Sequence, residues 1–155
     1  MIRKLIDKLM TRKGLVLCAN IAEGTHGDGN ITKLSDAAMA LRHTLVKEGS
    51  DVDHIAVTTA NTEIPMGVCN DEATAAEENV NVQLLGSKPG TIIMKAHAAI
   101  TKGDFMVPAA AGRAQTMTGL SSVTTYIIGI ALNTVTTQDD DVEVQHCVPV
   151  QRVIA

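Results

Sequence analysis

The chain has 155 residues, three cysteines, no Trp, one Phe (Phe105) and one Tyr (Tyr126), with a formal charge of −4. That is long enough for one domain with a real core and an appendage, but the core must be Val, Ile, Leu, Met and Ala. Such a composition argues against a large aromatic-walled ligand pocket, and the acidic body, poor in stacking rings, argues against a nucleic-acid partner for that body.

The charge is unevenly spread. Arg3, Lys4, Lys8, Arg12 and Lys13 stand against Asp7, a local charge of +4 that leaves −8 for the remainder. In residues 2–12, Ile2, Leu5, Ile6, Leu9 and Met10 recur at helical spacing opposite Arg3, Lys4 and Lys8. This pattern predicts a basic amphipathic helix over residues 1–13, ended by Gly14. A helix of about three turns is unstable alone in water, so its apolar stripe must dock. Its own barrel, a neighbouring subunit or partner, and a membrane surface are the three options. No Trp or Phe anchor favours the membrane. No run of 18 apolar residues predicts a spanning helix, and no cleavable signal is expected.

Residues 14–40 read as an extended arm with a Gly-rich loop. LVLCANI, residues 15–21, predicts a short strand, and AEGTHGDGN an exposed loop. For residues 33–41, KLSDAAMAL, one helical turn and an extended lead into the next domain both remain open.

A barrel domain is expected over residues 41–155. HTLVK and HIAVTT around EGSDVD form a hairpin, followed by the short strand IPMGVC. NDEATAAEEN is a polar excursion that allows a short helix. VNVQLL alternates, with Val80, Val82 and Leu84 on one side. GSKPG turns the chain at Gly86 and Gly90. In ITKGDFMVP, Gly103 supplies a positive φ and Asp104 bonds nearby N–H groups, re-aiming a strand at a barrel corner. Gly112 bends the chain before GRAQTM. TYIIGIAL is apolar in both registers and is expected to be the most buried strand. DVEVQHCV alternates, with Val142, Val144, His146 and Val148 inward. The expected fold is all-β: a small barrel or compact sandwich of eight to ten short antiparallel strands.

No constellation for catalysis stands out. His26, Asp28, His43, Asp51, Asp53 and His54 lack the spacing of a zinc or calcium site, and turn capping accounts for the aspartates. Cys18, Cys69 and Cys147 are far apart in apolar runs and read as buried, reduced thiols, in keeping with folding in a cytoplasm. There is no GxSxG elbow and no Walker loop. Asp71, Glu72, Glu77 and Glu78, and Asp139, Asp140 and Asp141, read as solvated acidic rims. No enzyme, metal or cofactor is expected.

The motifs KEGSDVDHIAV, IPMGVCNDEA, VNVQLLGSKPGT, AAITKGDFMVPAAAGRAQT, YIIGIAL and DDDVEVQHCVPV follow one another in an order that resembles the bacteriophage capsid decoration, or cement, proteins. Each motif alone is weakly specific; the ordered set, over residues 33–150, carries the resemblance. It implies a structural virion protein on the outer surface of a capsid, assembled in the host cytoplasm. Its partners would be the major capsid protein and neighbouring copies of itself, often as a trimer. Two departures stand out. Asp140-Asp141 replaces the Gly-Asp often found before the last strand, and the basic helix lies outside the matched region. As an anchor, the sequence itself points to the arm, residues 2–21. Ile2, Leu5, Ile6 and Leu9 would insert, and Arg3, Lys4 and Lys8 would face acidic patches. A small-molecule or carbohydrate-binding β module is the alternative class.

Overall fold

The structure, a computed structural model, describes residues 29–155. It is all-β, with ten strands. The first five are β1 (Asn30–Ser35), β2 (Thr44–Glu48), β3 (His54–Val57), β4 (Gly67–Cys69) and β5 (Asn79–Leu84). They close a barrel in the order β1-β3-β2-β4-β5. The closing pair is antiparallel, from Asn30↔Gln83 to Leu34↔Asn79, and the β1–β3 pair is parallel. Closure leaves these short strands without a free edge.

The other five are β6 (Ile92–Lys95), β7 (Phe105–Pro108), β8 (Ala114–Thr116), β9 (Val123–Ala131) and β10 (Asp141–Ile154). They form an open sheet in the order β6-β10-β9-β7-β8. A 3-10 turn at Ala110–Gly112 links β7 and β8.

Two cores result. Ile31, Val46, Ile55, Cys69, Val80 and Val82 fill the barrel. Leu45 and Val68 join Met94, Met106, Ile128, Val142 and Val144 in the second core. Because a strand alternates its faces, the second core lies between the barrel's outer wall and the inner face of the open sheet.

Local chemistry explains the turns. Gly86, Gly90, Gly103 and Gly112 all have positive φ. Asp104 Oδ2 accepts the Thr101 N–H at 3.0 Å. In EGSDVD, Asp51 Oδ1 accepts the Asp53 N–H at 2.9 Å, an Asx turn. In the acidic turn before β10, Asp139 takes the positive φ that glycine would otherwise supply, and Asp140 Oδ2 caps the Thr137 N–H at 3.0 Å.

Several expectations need correction. Residues 30–35, within the segment read as an arm, form β1, and Met39 bridges Ala73, so of the two readings left open for residues 33–41 the extended one holds. Residues 70–79 form that bridge and turns instead of a helix. Strand β9 is not buried on both faces. Ile130 is 37 % exposed and Tyr126 and Ile127 are half-buried, because the barrel covers only one side of the open sheet. In β10, Val142, Val144 and His146 are buried as expected. Val148 is exposed, because the register against β9 shifts between His146 and Val150.

Candidate interaction surface

The uncovered face of the open sheet gathers apolar side chains from four strands. Phe105 on β7 pairs with Ile130 on β9, and Ile130 pairs with Gln145 on β10. One row therefore runs Phe105–Ile130–Gln145 across the sheet. In a neighbouring row Ile93 on β6 stands opposite Glu143. Phe105 is 48 % exposed and Ile93 is also exposed. Between the strands lies a groove of about 280 Å³, lined mainly by Phe105, Ile127, Ile130, Gln145 and Cys147. Its existence follows from Gly129: a Cβ there would meet Gln145 O at 2.5 Å, so only glycine lets β9 and β10 approach with nothing projecting between them.

Beyond the register shift, β9 and β10 continue as a two-stranded ribbon, with Val150 opposite Ile127 and Ile154 opposite Val123. Thr125 Oγ1 donates to Asn61 O at 2.7 Å, tying the ribbon to the β3–β4 loop. Among the described residues, six of the eight exposed large apolar side chains lie on this sheet and ribbon, so their exposed apolar surface is clustered rather than scattered.

The polar groups serve geometry. His54 Nδ1 bonds Asp51 Oδ1 at 2.5 Å and its Nε2 bonds Glu77 Oε1 at 3.0 Å. These two bonds raise its pKa, that to Asp51 first. Burial alone would raise the Glu63 pKa, but Lys47 Nζ at 2.5 Å and the Thr59 N–H and hydroxyl draw it down to about 2. Glu78 caps Thr74. Arg113 grips Asp139 with two bonds, Nε–Oδ1 at 2.6 Å and Nη2–Oδ2 at 3.1 Å, and holds that carboxyl below its usual range. Burial pushes the Cys69 thiol up to about 11 and raises that of Cys147, which disfavours the thiolate in both. Among the described residues no group of three or more His, Cys, Asp and Glu is placed to hold a metal.

The anchors expected from sequence, Ile2, Arg3, Lys4, Leu5, Ile6, Lys8 and Leu9, lie outside the described residues. The structure brings together a different set, centred on Phe105 and Ile130. The signal for it was the double-register apolar pattern of TYIIGIAL beside a β10 whose Glu143 and Gln145 are polar.

No protein-family model matches this chain, and no curated protein matches it. Among solved structures it is similar to the head fiber gp8.5 N base in bacteriophage phi29. The likeness has a TM-score of 0.56 at 21 % identity and covers 77 % of this chain and 94 % of that one. At that identity the likeness establishes a shared fold.

Proposed function

We propose that this chain is a non-enzymatic structural protein of a bacteriophage head. It binds the outer surface of the capsid and cements neighbouring subunits of the major capsid protein. The observation that carries the reading is the shared fold with the base of a phage head fiber, over nearly all of that chain. The ordered motifs that resemble decoration proteins and the apolar face around Phe105 and Ile130 agree with it.

The mechanism is interfacial. A face with an aromatic and aliphatic centre, rimmed by Glu143 and Gln145, suits burial against a protein partner. A standard interface of roughly 1,600 Å² holds if its anchors are good, and many symmetric copies multiply the effect by avidity. Expansion of the shell would then have to break those contacts. The basic segment of residues 2–12 would be a second tether, its cations facing acidic capsid patches.

Cosedimentation of the full chain with cognate heads that lack it tests this. Saturable binding at a fixed copy number per capsomer is expected. Heads that sediment without the protein would contradict the proposal.

A further inference from the structure

Strand β10 is the longest strand of the described chain, and its last part has a neighbour on one side. Strand β6 pairs only with residues 141–144, and among the described residues nothing but β9 pairs with residues 150–154. One edge of the ribbon therefore presents unpaired backbone N–H and C=O groups. Pro149 has no N–H to offer, so this usable edge begins at Val150. Val150 and Val153 are 56 % and 70 % exposed. An open edge carrying apolar side chains is a ready template for another strand. The edge is also held in place. The β5–β6 turn packs on it, since a Cβ on Gly86 would meet Val148 Cγ2 at 2.4 Å, and Thr125 of β9 is tied to Asn61.

The charge around this edge runs against the rest of the described chain. Residues 29–155 hold eight Lys and Arg against fourteen Asp and Glu, a formal charge of −6. Five of those eight cations, Lys33, Arg42, Lys47, Lys95 and Arg113, pair with carboxylates. Among the described residues, Lys88, Lys102 and Arg152 make no such pair. Lys102 lies in the turn beside Ala131, at the other end of β9. The other two flank the edge: Arg152 is on it and exposed, and Lys88 is in the β5–β6 turn that packs against Val148. There is no Asp or Glu in residues 85–91, in β9 or in residues 144–155. The edge is thus an apolar strand rimmed by two unmatched cations on an otherwise acidic surface.

We propose that the open edge of residues 150–154 is a docking site for an extended acidic segment of a partner protein. The segment adds to the sheet as a strand beside β10, its main chain pairing with the free backbone groups. Its apolar side chains lie beside Val150 and Val153, and its carboxylates meet Lys88 and Arg152. A second copy pairing through the same edge fits less well, because it would set two cationic rims together and bring no acid. This site is separate from the face around Phe105 and Ile130. It goes beyond the head-protein reading, and its test uses no heads, so either can fail alone.

Nuclear magnetic resonance titration of the nitrogen-15-labelled full chain tests the proposal. The probes are two end-blocked peptides, one alternating Glu with Val and the other Lys with Val. Expected are saturable amide shifts at residues 150–154 with the Glu peptide, weakening in high salt, and none with the Lys peptide. Arg152→Glu with Lys88→Glu should weaken the Glu peptide by about fivefold or more and admit the Lys peptide. Amide positions elsewhere in the spectrum report that the variant is folded, and Arg152→Glu alone serves if the double variant is not. Three results overturn the proposal: no saturable shift with the Glu peptide, equal binding of both peptides, or shifts at residues 150–154 that follow protein concentration alone. The last would assign the edge to a second copy.

Discussion

Leu45 and Val46 are adjacent in β2, both fully buried, and lie in different cores: Leu45 packs under the open sheet and Val46 inside the barrel. Val68 and Cys69 repeat the relationship on β4. The barrel wall is thus shared, and neither core is complete without it. Barrel and sheet should unfold as one cooperative unit. Leu45→Ala should cost about 2–5 kcal/mol, and Val46→Ala about half as much. In denaturant titration followed separately by Tyr126 fluorescence on β9 and by far-ultraviolet circular dichroism, both variants should shift one common transition. Separate transitions would show independent units.

Gly112 and Gly103 share a positive φ but differ in surroundings. A Cβ at Gly112 would meet Val57 Cγ1 at 2.6 Å and Thr44 Cβ at 2.9 Å, whereas one at Gly103 meets nothing within 4 Å. Gly103→Ala should therefore cost only the backbone strain, about 1 kcal/mol. Gly112→Ala adds a steric clash in the seam between barrel and sheet, and should cost about 2–4 kcal/mol. Thermal unfolding of the two variants would distinguish them; equal losses would mean the seam relaxes freely.

His54 makes stability pH-dependent. Its folded pKa is raised above the ordinary 6.5 by Asp51 and then Glu77. The stability it contributes is fully present below 6.5 and is lost as pH rises through the folded value. Asp51 runs the other way: its pKa is lowered from 3.8, first by His54, so its contribution holds above 3.8 and fades as pH falls through the folded value. Stability should thus decline from mildly acidic to alkaline pH, and His54→Gln should flatten that decline. Melting temperatures from pH 5 to 9 check this; an unaltered slope in the variant would place the dependence elsewhere.

Much of this fold was legible in the sequence, for identifiable reasons. Gly86, Gly90, Gly103 and Gly112 mark positive-φ turns because so few other residues tolerate them, and the alternation of Val80 and Val82, and of Val142 and Val144, follows directly from the two-residue period. Periodicity does not say what lies against each face. TYIIGIAL therefore looked doubly buried although Ile130 faces outward, and TLV in β2 concealed two cores. The register shift after His146 is a tertiary event with no local mark, so Val148 was placed on the wrong side. The apolar surface centred on Phe105 was missed because a lone Phe opening a strand reads equally well as core.

The exposed face and the arm make separable contributions under the proposed function. Phe105→Asp and Ile130→Asp change side chains that are 48 % and 37 % exposed, so the fold should tolerate them. Each should weaken binding to heads by about 30-fold or more, the loss of a central anchor of about 2 kcal/mol. Leu5→Asp with Leu9→Asp should abolish capsid binding and leave the barrel folded. Cosedimentation isotherms beside circular dichroism measure both. Undiminished binding in the Phe105 and Ile130 variants would remove the sheet face from the interface, and undiminished binding in the arm variant would remove the arm.

The most direct test of cementing is the temperature at which DNA-filled heads release their genome, with and without saturating protein. Heads carrying the protein should hold their DNA to a higher temperature, and the gain should vanish with Phe105→Asp. Identical release temperatures for bare and saturated heads would contradict a cementing role.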